Sequence, residues 1–183
     1  ETDITWTNIT TGATLGTGAS RAFTPGTVSP SDIIQCHFEA VDGDQTTDSG
    51  VATVELMNTA PHISSIAISP DPAYADQPLT CTATAIDPDG DTVSISYGWT
   101  IDGVVAAETT NTLSTGAARG SVVVCTATPT DSWGQTGTAS NTSLTISNNL
   151  PEVVSVQLNA NTVYTNDVLT ASATAFDSDG DPV

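Results

Sequence analysis

Apolar and polar residues alternate along most of the chain with a period of two, the spacing of a strand with one covered face and one wet face. The alternation is clearest over residues 79–99, LTCTATAIDPDGDTVSISYGW, where Leu79, Cys81, Ala83 and Ala85 share one face and threonines occupy the other. An aspartate corner interrupts it, and the period resumes with Ile95, Tyr97, Trp99 and Ile101. The pattern predicts strands near 62–68, 77–86, 93–101, 120–128 and 138–147, with a weak pair between 103 and 115. Short, evenly spaced strands separated by polar turns imply an all-β fold built as a sandwich of two antiparallel sheets.

The same pattern is written more than once. LTCTATAIDPDGD (79–91) aligns with LTASATAFDSDGD (169–181) at an offset of 90, and Asn58-Thr59-Ala60-Pro61 falls on Asn148-Asn149-Leu150-Pro151 at the same offset. Cys36 and Cys125 lie 89 apart, and Trp6 and Trp99 lie 93 apart. A period near 90 residues is the size of one small sandwich, and self-similarity at a fixed period marks a repeat array. Residues 59–147 are expected to be a complete repeat. Residues 1–58 read as a repeat without its first two strands, and 148–183 as the first two strands of the next. Two arrangements suit this division: one period of a longer covalent array, or separate chains whose 152–177 strands complete the 3–57 strands of a neighbour.

The motifs N-x-x-P, A-Y-x-D-x-P-L-T-C-T-A-T-A, D-P-D-G-D, S-Y-G-W-x-I-D-G and S-L-T-I-S-N together resemble the immunoglobulin-like tandem repeats of large bacterial surface and secreted proteins, which neighbour the PKD-type and cadherin-like modules. The resemblance covers essentially the whole chain. It implies tandem immunoglobulin-like β-sandwiches, and it implies a disulfide between Cys81 and Cys125 crossing the sheets beside Trp99. Without that bond the two cysteines would be buried thiols. Val123 stands where animal immunoglobulin domains carry their corner tyrosine, a departure that separates this chain from antibody-type domains. Cys36 has Ala171 at the place of its expected partner in the next repeat, so it is expected to be unpaired here or bonded beyond these residues.

Composition narrows the role. The chain has Asp+Glu 21 against Lys+Arg 2, a net charge of −19, yet only 13% of its 183 residues are charged. Such a surface repels nucleic acid and anionic membranes and attracts cations, although solubility alone also accounts for it. No stretch approaches the roughly 20 apolar residues of a membrane span. No leader pattern opens the chain, so any targeting segment is expected to have been removed or to lie outside these residues.

Candidate chemistry lies in the turns. Asp87, Asp89 and Asp91, with their copies Asp177, Asp179 and Asp181, each put three carboxylates in five residues, a supply of oxygen ligands suited to calcium. The loop carrying Asp131, or Asp42 and Asp44 in the first segment, is expected at the same end, where the Asn58–Pro61 linker also arrives. Calcium there would neutralise crowded carboxylates and stiffen the junction, as in cadherin-like modules. D-x-D-G-D is equally good turn chemistry with no ion, and the residues alone leave both readings open. Asn8 and Asn141 head glycosylation sequons, and Trp133 is a candidate for stacking on a ligand sugar, with packing against the linker as its structural alternative. No nucleophile, base and acid set recurs, so no enzyme is expected and no cofactor beyond calcium. The expected role is an extracellular or cell-surface rod of head-to-tail domains. The alternative is an adhesin or carbohydrate-binding module of a larger secreted protein, with glycans as partners.

Overall fold

A computed structural model describes residues 3–43, 45–75, 77–114 and 116–183, and their regular structure is all strand. In chain order the strands are β1 Asp3–Asn8, β2 Ala13–Thr17, β3 Ile33–Asp42, β4 Gln45–Glu55, β5 His62–Ser69, β6 Leu79–Ile86, β7 Val93–Ile101, β8 Val104–Val105, β9 Thr112–Leu113, β10 Val122–Asp131, β11 Ser140–Thr145, β12 Glu152–Leu158 and β13 Ala171–Phe176. They form sheets of order β2-β1-β3-β4, β11-β10-β7-β8, β5-β6-β9 and β12-β13. Neighbours run antiparallel, as in β1 with β3, β10 with β11 and β12 with β13. The elements expected over 62–147 are present; β10 runs a few residues further than predicted, into the Asp131 turn.

The chain divides into two compact units. One comprises Glu1–Ser64, Thr84–Ile95 and Thr128–Ala139, the other Ser65–Ala83, Ser96–Ala127 and Ser140–Val183. In the first, the long β3–β4 hairpin pairs Ile33 with Glu55 at one end and Asp42 with Gln45 at the other. Trp6 on β1 lies opposite Cys36 on β3, and its indole Nε1 donates to the Gly18 carbonyl at 2.8 Å. Cys36 is half-buried and is a free thiol. Val51 and Val54 on β4 remain 64% and 55% exposed.

The second unit holds a continuous cluster of buried hydrophobic residues. Leu79, Cys81, Trp99, Leu113, Val123, Cys125 and Ile146 are buried together, with Ile66, Ile68, Tyr97 and Leu144 packed around them. Strict alternation produces this: along β10 every second residue from Val123 to Asp131 is buried, while its neighbours are not. Most core side chains here are small, so Trp99 supplies a large share of the apolar contact. Its polar edge is satisfied by an Nε1 donation to the Thr110 carbonyl at 2.9 Å. Cys81 and Cys125 are bonded, Cα to Cα 6.4 Å, within that core.

The sequence repeat is matched by repeated local structure. The orders β2-β1-β3-β4 and β8-β7-β10-β11 are the same when each is read from its short strand. Trp6 and Trp99 both donate to a carbonyl about one turn-and-strand further on, at Gly18 and Thr110. The Tyr74 amide donates to the Gln77 side chain, and the Tyr164 amide donates to Asp167 in the same place. A hydroxyl pair links Ser64 to Thr84 at 2.8 Å, and another links Ser155 to Thr174 at 2.7 Å.

The disulfide closes a sequence separation of 44 residues. Its removal by the Cys81→Ala/Cys125→Ala double substitution is expected to lower the unfolding free energy by about 4 kcal/mol through the freed chain entropy of the unfolded state. Urea unfolding of the two proteins measures it.

Candidate functional site

The Asp87–Asp91 corner follows β6 and is built by its own first residue. Asp87 Oδ1 accepts the amides of Asp89 at 2.7 Å and Asp91 at 3.3 Å, the arrangement by which an aspartate closes a tight turn on itself. Gly90 completes it at φ 84°, in the left-handed region that a side chain rarely occupies. Turn chemistry thus uses one oxygen of Asp87. The other, Oδ2, is buried with no hydrogen-bond partner, as is Asp91 Oδ2. Ligand oxygens of Asp87, Asp89 and Asp91 lie within 4.8 Å of one another. At such a separation each pair of ionised carboxylates repels by roughly 3 kcal/mol with an effective dielectric of about 20.

The linker before β5 comes to this corner. Thr59 donates its amide to Asp89 Oδ2 at 2.6 Å, and Asn58 donates Nδ2 to Asp131 Oδ2 and to Gln135 Oε1, each at 2.7 Å. Asn58 Oδ1 faces away from those acceptors and is buried without a donor. Further along, Pro61 is buried so tightly against Gly137 that a Cβ on that glycine would fall 1.7 Å from the Pro61 carbonyl oxygen. Only glycine fits there.

Asp131 ends β10 and organises the adjoining turn. Its Oδ1 accepts the amides of Trp133 at 2.9 Å and Gln135 at 2.8 Å. Burial alone would push this carboxyl up, but hydrogen bonds from Asn58 and from the Gln135, Trp133 and Gly134 backbone outweigh it and hold the pKa below the ordinary 3.8. Ser132 Oγ reaches toward Asp91 Oδ1 at 3.5 Å. Asp131 therefore stands beside the Asp87–Asp91 corner as expected, but its oxygens are already occupied by protein donors. Asp42 ends β3; its side chain and the whole of Asp44 lie outside the described residues.

The copy at Asp177–Asp181 has the same backbone and different surroundings. Asp177 Oδ1 accepts the Asp179 amide at 2.8 Å, and the Asn149 amide donates to Asp179 Oδ2 at 2.5 Å, as Thr59 does to Asp89. Here, however, Arg119 Nη2 meets Asp181 Oδ1 at 2.9 Å and supplies positive charge. The sequence offered no sign of that pairing, because Arg119 and Asp181 are 62 positions apart.

The sequons separate. Asn141 is exposed on β11, facing opposite to Leu144 as its parity requires. Asn8 is 1% exposed, with Nδ2 donating to Asp32 Oδ2 at 2.7 Å and Oδ1 accepting the Thr10 amide. The Asn8 sequon is thus headed by a buried residue that holds the β1–β2 turn, its amide nitrogen committed to Asp32. Trp133 is 53% exposed on the Asp131 turn. No family model, curated protein or solved structure matches the chain.

Because the Asp131 pKa is depressed by folding, its ionised form contributes stability that is complete above 3.8 and is lost as pH falls through the lowered folded value. Melting temperatures followed down through that acid range should fall for the native chain, and Asp131→Asn, which cannot titrate, should shallow the acid limb.

Proposed function

We propose that the chain is a structural segment of an extracellular rod, made of immunoglobulin-like sandwiches joined head to tail, with residues 59–147 as one full repeat and the flanking segments as parts of its neighbours. One observation carries this reading. Residues that are covered on β5 and β6 are bare at the equivalent places 90 positions later. Leu79 is 1% exposed and Leu169 46%; Ile66 and Ile68 pack on the core, whereas Val156 and Leu158 are 68% and 55% exposed. A strand pair of this composition gains little by folding alone, since an isolated hairpin is marginal in water.

The occupant that fits the bare face is the sheet type that covers β5 and β6, namely one of order β2-β1-β3-β4 from the next unit. That sheet also leaves Val54 exposed, while Leu144, the counterpart of Val54 by register, packs on the core. Successive units related in this way make a head-to-tail contact, which extends as an open line where the rotation between units does not close. The disulfide supports an oxidising compartment, and the paucity of lysine and arginine supports a surface without nucleic-acid contacts. The work of such a line is extension and spacing.

A circular permutant tests it: residues 148–183 placed ahead of residue 1, with Val183 joined to Glu1 and the chain opened after residue 147. The permutant should be a monomer with one cooperative melt, because its first sandwich is complete within one chain. The native-order chain should associate with rising concentration, and Val156→Asp should abolish that association. A native-order chain that stays monomeric at all concentrations by sedimentation would sink the reading.

A second reading rests on Trp133, whose exposed ring on a firmly hydrogen-bonded turn suits stacking against a sugar face. If the segment is a recognition module, a glycan array should give a specific signal that Trp133→Ala removes. A scaffold gives none.

A further inference from the structure

We infer that the chain binds one calcium ion, held by Asp87, Asp89 and Asp91 together with the side-chain oxygen of the linker residue Asn58. Three carboxylates close together would not by themselves make a site. The independent observation is the set of buried oxygens that no donor reaches. Asp87 is 9% exposed, with Oδ2 unpartnered, and Asp91 Oδ2 and Asn58 Oδ1 are likewise buried without a partner. All three are acceptors. Among the described residues these are the buried side-chain polar atoms left unsatisfied, and their residues share one compact unit, where Thr59, next to Asn58, bonds Asp89 and Asn58 bonds Asp131, whose neighbour Ser132 reaches Asp91. Buried acceptors are ordinarily paired, so a cluster of unpaired ones calls for a species with positive charge and several bonds to offer.

Neighbouring groups set the orientation of that corner. Asp131 and Gln135 both accept from Asn58 Nδ2, which turns the amide so that its oxygen is presented elsewhere. Asp87 Oδ1 is taken by backbone amides, so its free oxygen is held in place and not left to rotate. The Thr59 amide fixes Asp89 in the same way. The donors available are carboxylate and amide-carbonyl oxygens on a turn and a linker, with neither nitrogen nor sulfur among them. That set suits calcium, which takes six to eight oxygens in flexible geometry, better than magnesium, which demands a near-ideal octahedron.

The second aspartate corner is excluded on the same grounds. Arg119 already meets Asp181 at 2.9 Å, and among the described residues no buried oxygen there is left without a partner. The inference therefore assigns one ion per chain. It is independent of head-to-tail assembly, since every residue of the site belongs to one chain and one unit.

Isothermal titration of the full chain with calcium chloride, and melting in about 1 mM calcium chloride against chelator, test it directly. One ion per chain and a saturable rise in melting temperature are expected, with magnesium chloride and sodium chloride of equal ionic strength giving less. Asp91→Asn and Asn58→Ala should each weaken binding about tenfold or more, and Asp181→Asn should leave it unchanged. Asp87→Asn keeps an oxygen for the turn amides and should lose calcium binding while its melting temperature in chelator stays near that of the native chain. Melting curves that coincide in calcium and sodium chloride would overturn the site, as would undiminished binding in Asp91→Asn and Asn58→Ala together. Two equivalent ions, one lost in Asp181→Asn, would overturn the assignment to the first corner alone.

Discussion

The buried cluster that holds both Trp99 and the Cys81–Cys125 bond is what the rest of the structure depends on. Around it the core is made mainly of alanine, valine, leucine and isoleucine, in sheets whose outer faces are hydroxyl-rich. A β unit of this size buries a smaller fraction of its chain's surface than a large domain does, so its stability rests on a few large contributions. A ring that is 1% exposed and a covalent bond within the same cluster are two of them. The strands they anchor, β6, β7 and β10, are also the strands whose ends carry Asp87, Asp91 and Asp131.

Much of this was legible along the chain, because it followed from local rules. Parity alone placed Leu79, Cys81, Trp99 and Asn141 on their correct faces, and the strand limits of 62–147 were set by proline, glycine and aspartate clusters. What escaped was whatever depended on partners far along the chain. The Asn8 sequon is intact as a pattern, yet its amide is used by Asp32, 24 positions away. Asp131 has the composition of a ligand, but its oxygens are taken by Asn58, Trp133 and Gln135. Asn58 lies in the linker, and its side-chain amide is held by two acceptors, Asp131 and Gln135, that lie 73 and 77 positions away. Hydrogen-bond ownership is a property of three-dimensional neighbours, and no spacing rule reports it.

The two aspartate corners show how one turn sequence is put to two uses. Both close on their first aspartate and both accept an amide from the incoming linker. They differ in the charge that faces them: a guanidinium at Asp181, and none at Asp91 among the described residues. A surface ion pair such as Arg119–Asp181 is worth at most about 1 kcal/mol, so its importance lies in settling which corner is electrically answered.

The crosslink between Cys81 and Cys125 also bears on behaviour under tension. If the chain is pulled from its two ends, the span of 44 residues between the sulfurs carries no load and cannot lengthen. At about 3.4 Å for each extended residue, roughly 150 Å of slack is withheld when this one fold gives way. Under a pull, this part of the chain would therefore yield by one short step and not by its full contour.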